Sequence, residues 1–370
     1  MALPGVLQVV QPDGAAMLAH VRLLLAGLVS RGILAAAACP RGVREELAAA
    51  GVPVYPLFLP EEISWTLDPV DIWRLARVLR SGAFDLVHAH GLKAAVVALA
   101  AARLAGRVRT VYTAHGTGPP GLHRPDFWRK AAGELLHRYD CLLAVSRYTR
   151  RSQASLGLDP GRVRVLYGGV EVPASFRATP GICPVVGTAA RLVPAQGVEV
   201  FLRAAGLVLR ECPRTRFLVA GDGPLWPELG RLAGNLGLDG HLLFTGRLRK
   251  SAELMSFLDV FVLPSLQEDF PQILLEAMAR GRPVVAARSG GVPEVVAEGT
   301  GILVPPGDAG ALAAQVIRLL QDRSLAERLG RAARRRVLLH FDARRLQDET
   351  AELYRRLAEG ETGPENVREA

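Results

Sequence analysis

The residues best suited to chemistry stand together in one stretch, Leu263-Pro264-Ser265-Leu266-Gln267-Glu268-Asp269-Phe270-Pro271-Gln272-Ile273-Leu274-Leu275-Glu276-Ala277-Met278-Ala279. Its apolar head reads as the end of a strand, the polar middle as a loop and the remainder as a helix. Asp269, with Gln272 three residues on, reads as an N-cap with its capping-box partner, and Pro271 falls in the first turn, where no amide donor is needed. Such a helix aims free N–H groups and the positive end of its dipole outward, an arrangement suited to phosphate. Glu276 follows Asp269 by nearly two turns, which returns it to the cap's face about 10 Å along the axis. Glu268 and Glu276 are therefore too far apart for a short-range carboxylate dyad, but they can grip two hydroxyl-bearing parts of one elongated ligand. Apolar neighbours make an unpaired charge at Glu276 costly, so an internal ion pair with Arg280 is the competing reading.

The elements that must hold this stretch follow from the hydrophobic pattern. Short Val/Leu/Ile-rich runs at 6–10, 33–38, 53–58, 85–89, 108–113, 141–145 and 163–166 alternate with helical patterns such as 15–30, 68–80, 92–105 and 126–138. Continuous apolar strands joined by helix-length crossovers predict a parallel sheet covered on both faces. After a break from Val172 to Gly181 the pattern restarts, with strands at 184–189, 216–220, 241–244, 260–263, 283–286 and 302–304. The stretch 308–358 is helical and rich in arginine. The expected fold is α/β with two Rossmann-like domains, 1–172 and 182–340, facing across a cleft, followed by a helix at 341–358. Open parallel sheets bind ligands at the carboxyl ends of their strands.

The totals narrow the class. The chain has 370 residues and a formal charge of +9, carried almost wholly by arginine, since the lysines are Lys93, Lys130 and Lys250 alone. An acidic partner such as a phosphate or an anionic lipid fits that charge; without aromatic interleaving or a recognisable module, nucleic acid is not an expected partner. Four scattered cysteines suit a reducing compartment. The apolar run Ala94–Ala102 is far short of the roughly 20 residues needed to span a bilayer, so a cytoplasmic protein is expected, with peripheral contact at the inner membrane face left open. Segment 122–139 mixes Leu122, Phe127, Trp128, Arg129 and Lys130; packing on the first sheet is favoured there over a membrane contact. The arginines at 331–336 read as a solvated helical face.

The Glu268 stretch resembles the E-x7-E signature of glycosyltransferase family 4, retaining enzymes of the GT-B fold, with Pro264, Ser265, Glu268, Phe270, Leu275, Glu276, Ala277, Met278 and Ala279 in place and Asp269 where a glycine is usual. The similarity runs on through Gly281–Ala286, Ser289–Glu294, Val219–Pro224, Phe244–Gly246 and Gly301–Pro305. It covers the first half as well, at Phe84–Gly91, Tyr112–Gly116 and Val145–Arg147. By this resemblance the protein moves a hexose from a nucleoside diphosphate sugar to a glycan or lipid-linked acceptor in cell envelope polysaccharide biosynthesis. Glu268 would contact the hexose, Glu276 the ribose and Arg191 the diphosphate, with His115 approaching the transferred sugar. Asp269, Phe270 and Gly221 complete the expected binding residues. His88 and His90 read as supporting or core polar groups. The resemblance implies that the helix at 341–358 crosses back to the first domain, and it implies no metal and no cofactor.

The chain departs from the family in two places. The family's diphosphate-binding Lys, five residues after the Arg, is Gln196 here, which removes a charge-assisted bond of roughly 1.5–3 kcal/mol. The glycine-rich first βα turn keeps only Gly14 of its two or three glycines to provide a positive φ. An attenuated or non-catalytic nucleotide-sugar-binding protein is therefore the alternative.

Overall fold

The computed structural model describes residues 3–11, 14–59, 68–106, 108–116, 126–174, 183–247 and 251–361, with side chains at 126–129 and 251–253 left aside. Leu122, Lys250 and most of the break before the second half lie outside these residues, as do the side chains of Phe127, Trp128 and Arg129.

The first unit runs to Gly169 and takes up the chain again from Ala343. Its strands are β1 (Val6–Val10), β2 (Ala35–Cys39), β3 (Val54–Pro56), β4 (Leu86–His90), β5 (Arg109–Ala114), β6 (Cys141–Ala144) and β7 (Val163–Val165). They form one sheet in the order β3-β2-β1-β4-β5-β6-β7, and every pairing is parallel. Strands β1, β2 and β4 are buried along their whole length, because helices cover both faces and leave no side for polar residues. On one face Leu7, Val9 and Val87 meet Leu75, Leu79 and Ala98. On the other Val6, Val10 and Leu86 meet Leu24 and Leu28 of the helix Ala15–Ser30, together with Leu346, Leu353, Tyr354 and Leu357 of the last helix, Ala343–Ala358. Gln347 Nε2 donates to the Leu23 carbonyl at 3.0 Å, and Arg31 pairs with Asp348.

The second unit spans Val170–Asp342. It contains β8 (Val185–Ala189), β9 (Arg216–Ala220), β10 (Leu242–Gly246), β11 (Val260–Leu263), β12 (Val284–Ala287) and β13 (Ile302–Val304), in the order β10-β9-β8-β11-β12-β13. These pairings too are all parallel. Each strand position expected from the sequence is occupied, with ends moved by one or two residues. The arginine cluster is only partly a solvated face. Arg334 donates to the carbonyls of Ala279 and Pro173, and Arg336 to those of Val295 and Glu294 at 2.7 and 2.9 Å, so these two satisfy carbonyls that an apolar side chain would leave bare. Arg331 and Arg335 are exposed. No described helix is long and apolar enough to cross a membrane.

Candidate functional site

In the second unit the chain leaves β8 toward β9 and β10, then returns to place β11 on the other side of β8. The loops after β8 and β11 therefore flank a topological switch point, the position at which open α/β sheets receive ligands. The two loops are tied together: Leu266 N–H donates to the Ala195 carbonyl at 2.8 Å and Gln267 N–H to the same oxygen at 3.2 Å. From β12, Gly291 N–H donates to the Glu268 carbonyl at 2.8 Å, and Ser289 Oγ to the Ser265 carbonyl at 2.7 Å. A Cβ on Gly290 would lie 1.8 Å from the Glu268 carbonyl oxygen, so only glycine lets the β12 loop come this close. Gly221, after β9, is a second close approach: its Cβ would lie 1.8 Å from the Ala190 carbonyl oxygen. Gly221 thus fits the β9 loop against the backbone just before Arg191, which is exposed.

Glu268 is half-buried in this frame. Its carboxyl is pushed up to about 7, chiefly by burial and to a smaller extent by the neighbouring Asp269, with Ser265 and Gln196 holding it back by favouring the carboxylate. Gln196, expected opposite a diphosphate, therefore lies near enough to Glu268 to favour its ionised form. A lysine at the same place would set an ammonium beside that carboxyl.

The helix carrying Glu276 spans Gln272–Ala279, and its N-cap position is Pro271, which supplies no side-chain acceptor. Asp269 is thus not the cap residue. The Gln272 N–H donates to the Phe270 carbonyl at 2.9 Å, a tight turn that delays the helix and spends one of its first-turn donors. Glu268 and Asp269 belong to the loop, so the two-turn spacing from Asp269 to Glu276 does not hold. Glu276 is half-buried. The Arg280 guanidinium donates to the Glu276 backbone carbonyl at 3.0 Å. Phe270 turns inward, 8% exposed, with its ring centroid 6.4 Å from that of Phe341; it anchors the loop.

In the first unit Gly14 has φ 94° and ψ 170° and opens the helix Ala15–Ser30; a Cβ there would meet nothing within 4 Å. His115 follows β5 and is half-buried. Its Nε2 lies 2.8 Å from His90 Nδ1, and burial, reinforced by His20 and His90, lowers its pKa well below the usual imidazole value. His88 and His90 are fully buried. The sequence reading missed His20, Gln8 and Tyr354, which stand with these histidines. The available signal was polarity inside apolar elements, as with Gln8 in Val-Leu-Gln-Val-Val, since a buried polar group needs partners. Among the described residues, nitrogens of His20, His90 and His115 lie within 4.8 Å of one another, the one such set that could hold a metal ion.

Two family profiles match in tandem. Residues 17–172 match Glycosyltransferase Family 4, and residues 183–322 match Glycosyl transferases group 1. A GDP-mannose-dependent alpha-(1-6)-phosphatidylinositol monomannoside mannosyltransferase of Mycolicibacterium smegmatis is 34% identical over 274 residues, covering 68% of this chain and 71% of that protein. The N-acetyl-alpha-D-glucosaminyl L-malate synthase of Bacillus anthracis is 27% identical over 294 residues, 76% of this chain and 77% of that one. Among solved structures, Anabaena HepE in complex with UDP and glucose superposes with a TM-score of 0.81 at 23% identity, covering 95% of this chain and 99% of that chain. Sucrose-phosphate synthase from Thermosynechococcus elongatus gives 0.83 at 21% identity, covering 97% and 100%. These likenesses span both units and identify the fold as GT-B. The Glu268–Ala279 signature on its loop and helix, the two tandem profile matches and the identity to the M. smegmatis enzyme together place the chain in glycosyltransferase family 4, as a sugar-transferring enzyme.

Proposed function

We propose that this enzyme moves a hexose from a nucleoside diphosphate sugar to a glycan or lipid-linked acceptor, with retention at the anomeric carbon. The observation that carries the reading is Glu268, a carboxyl of raised pKa held at the switch point of the second sheet by the loops after β8 and β12. Its assigned partner is a hexose hydroxyl. Arg191, exposed on the loop after β8, pairs with the diphosphate, where charge grows as the glycosidic bond breaks and a fixed cation is most effective. Glu276 takes a ribose hydroxyl. The neutral His115 imidazole hydrogen-bonds the transferred sugar. In a front-face displacement the departing phosphate oxygen takes the acceptor's proton, so no dedicated protein base is required. The donor class is supported by the GDP-mannose dependence in the name of the M. smegmatis relative and by the UDP and glucose in the HepE complex. A lipid-linked acceptor is supported by the phosphatidylinositol monomannoside in the same relative's name; it would bring the enzyme to the cytoplasmic face of a membrane.

The test is turnover of a panel of UDP-, GDP- and ADP-hexoses with anomeric configuration read by NMR, using Glu276→Ala as control. One donor is expected to turn over with retention, and Glu276→Ala to raise its KM. An inverted product or full activity in Glu276→Ala would refute the reading of mechanism or of that residue.

A further inference from the structure

The first unit contains a buried polar chain that starts on the C-terminal helix and ends at His115. Gln8 Nε2 donates to the Tyr354 hydroxyl at 2.9 Å, and that hydroxyl lies 2.5 Å from His88 Nδ1. His88 Nε2 lies 2.7 Å from Thr113 Oγ1. On the other side of the amide, Gln8 Oε1 lies 2.7 Å from His90 Nε2, and His90 Nδ1 lies 2.8 Å from His115 Nε2. Gln8, His88, His90 and Tyr354 are each 0% exposed, and burial keeps the three imidazoles neutral, one proton to a ring.

With the Gln8 amide oriented as in the structure, donor and acceptor roles follow one another along the chain. The Gln8 oxygen can only accept, so the His90 proton is on Nε2 and its Nδ1 is a bare lone pair. That lone pair accepts from His115 Nε2–H, which leaves Nδ1 as the acceptor nitrogen of His115. In the opposite direction the Tyr354 hydroxyl accepts from Gln8, gives its own proton to His88 Nδ1, and His88 Nε2–H donates to Thr113. Turning the amide of Gln8 over would reverse every one of these bonds and make His115 Nδ1 a donor. The tautomer of a histidine is set by the bond its other nitrogen makes; here that bond is set two residues further back.

We propose that Gln8, His90 and Tyr354 are positioning residues that fix the Nε2–H tautomer of His115, so that its Nδ1 accepts a hydrogen bond from a hydroxyl of the transferred sugar. This rests on the assignment of His115 to that sugar. Tyr354 lies on the helix Ala343–Ala358, so an element distant in the chain sets the protonation pattern of the residue that follows β5. His20 stands outside the chain. Its ring packs edge-on against His115 with centroids 5.0 Å apart, and both of its nitrogens are without a hydrogen-bond partner.

The experiment is 15N-edited NMR of the histidine-labelled full-length protein, combined with kinetics on the hexose-nucleotide panel. In the wild type, His115 is expected to show a protonated Nε2 and a bare Nδ1. Tyr354→Phe keeps the ring in the core but removes the link between the amide of Gln8 and His88, so the His115 signals should become a tautomer average. Its kcat should fall roughly tenfold or less with donor KM unchanged, well short of the ~10⁴-fold that a wholly wrong tautomer costs a catalytic triad. The wild-type spectrum needs no variant, so a Tyr354→Phe protein that fails to fold does not block the test. Protonated Nδ1 in the wild type, or an unaltered His115 spectrum in folded Tyr354→Phe, overturns the relay. Stoichiometric Co²⁺ binding that shifts His90 and His115 together also overturns it, in favour of a cation site. Full activity in His115→Ala overturns the sugar contact instead, and the spectrum separates that failure from a failure of the relay.

Discussion

Glu268 is the residue at which chemistry and environment are most tightly linked. With its carboxyl pushed up to about 7 by burial, it is part protonated at neutral pH, and its acceptor strength toward a sugar hydroxyl grows on ionisation. The ionisation of the free enzyme appears in kcat/KM, so kcat/KM is expected to rise with pH to a plateau above about 7; Glu268→Gln should lower the plateau and abolish the limb. Stability moves the opposite way. A carboxyl that holds its proton more tightly folded than unfolded contributes most at low pH, and its contribution falls as pH rises from the ordinary value of 4.5 to about 7. Urea midpoints across that range should therefore decline less in Glu268→Gln than in the wild type. Gln196 gives an independent check on the same group. In Gln196→Lys an ammonium beside the carboxyl favours its ionised form, so the limb in kcat/KM should move to lower pH and kcat should rise. A limb that stays in place would show that residue 196 does not sense Glu268.

At the scale of elements, the site depends on three loops that cannot move independently. Gly290 has φ +50°, and its missing Cβ would lie 1.8 Å from the Glu268 carbonyl oxygen. Alanine there must push the two loops apart as well as accept a left-handed backbone that costs about 1–2 kcal/mol. Gly290→Ala is thus expected to lower Tm modestly and kcat/KM severely, with far-UV circular dichroism unchanged; normal kinetics would mean that Glu268 need not be held where it is. This coupling also shows what the sequence could and could not disclose. The strands were legible, because an apolar run between helix-length segments has few other uses, and so was the strand-loop-helix order around Glu268 and Glu276. The start of the helix Gln272–Ala279 was not: Asp269 and Gln272 have capping-box spacing, yet Pro271 takes the cap position and the tight turn at Phe270 sets where helical bonding begins. Spacing rules describe neighbours in the chain, whereas Gln196 meets Glu268 from a loop on another strand. The partnership of Gln8 with Tyr354 spans nearly the whole chain, and nothing local to either residue announces it.

For the whole molecule the consequential feature is where the helix Ala343–Ala358 packs. Leu346, Leu353, Tyr354 and Leu357 enter the core of the first unit, beside residues from the opening strand and helix, so that core forms only when this helix is in place. The second unit is one continuous segment, Val170–Asp342, with its own core. Two cores of this kind should melt as separable units, and a cavity cut into one should be felt mainly there. Leu346→Ala, at a site 2% exposed, should cost about 2–5 kcal/mol and lower one calorimetric transition by several degrees. Leu275→Ala, fully buried beside the Glu276 carboxylate's helix turn, should lower the other. If both substitutions shift a single transition by the same amount, the last helix is not an addition to the first core alone, and the two units fold as one.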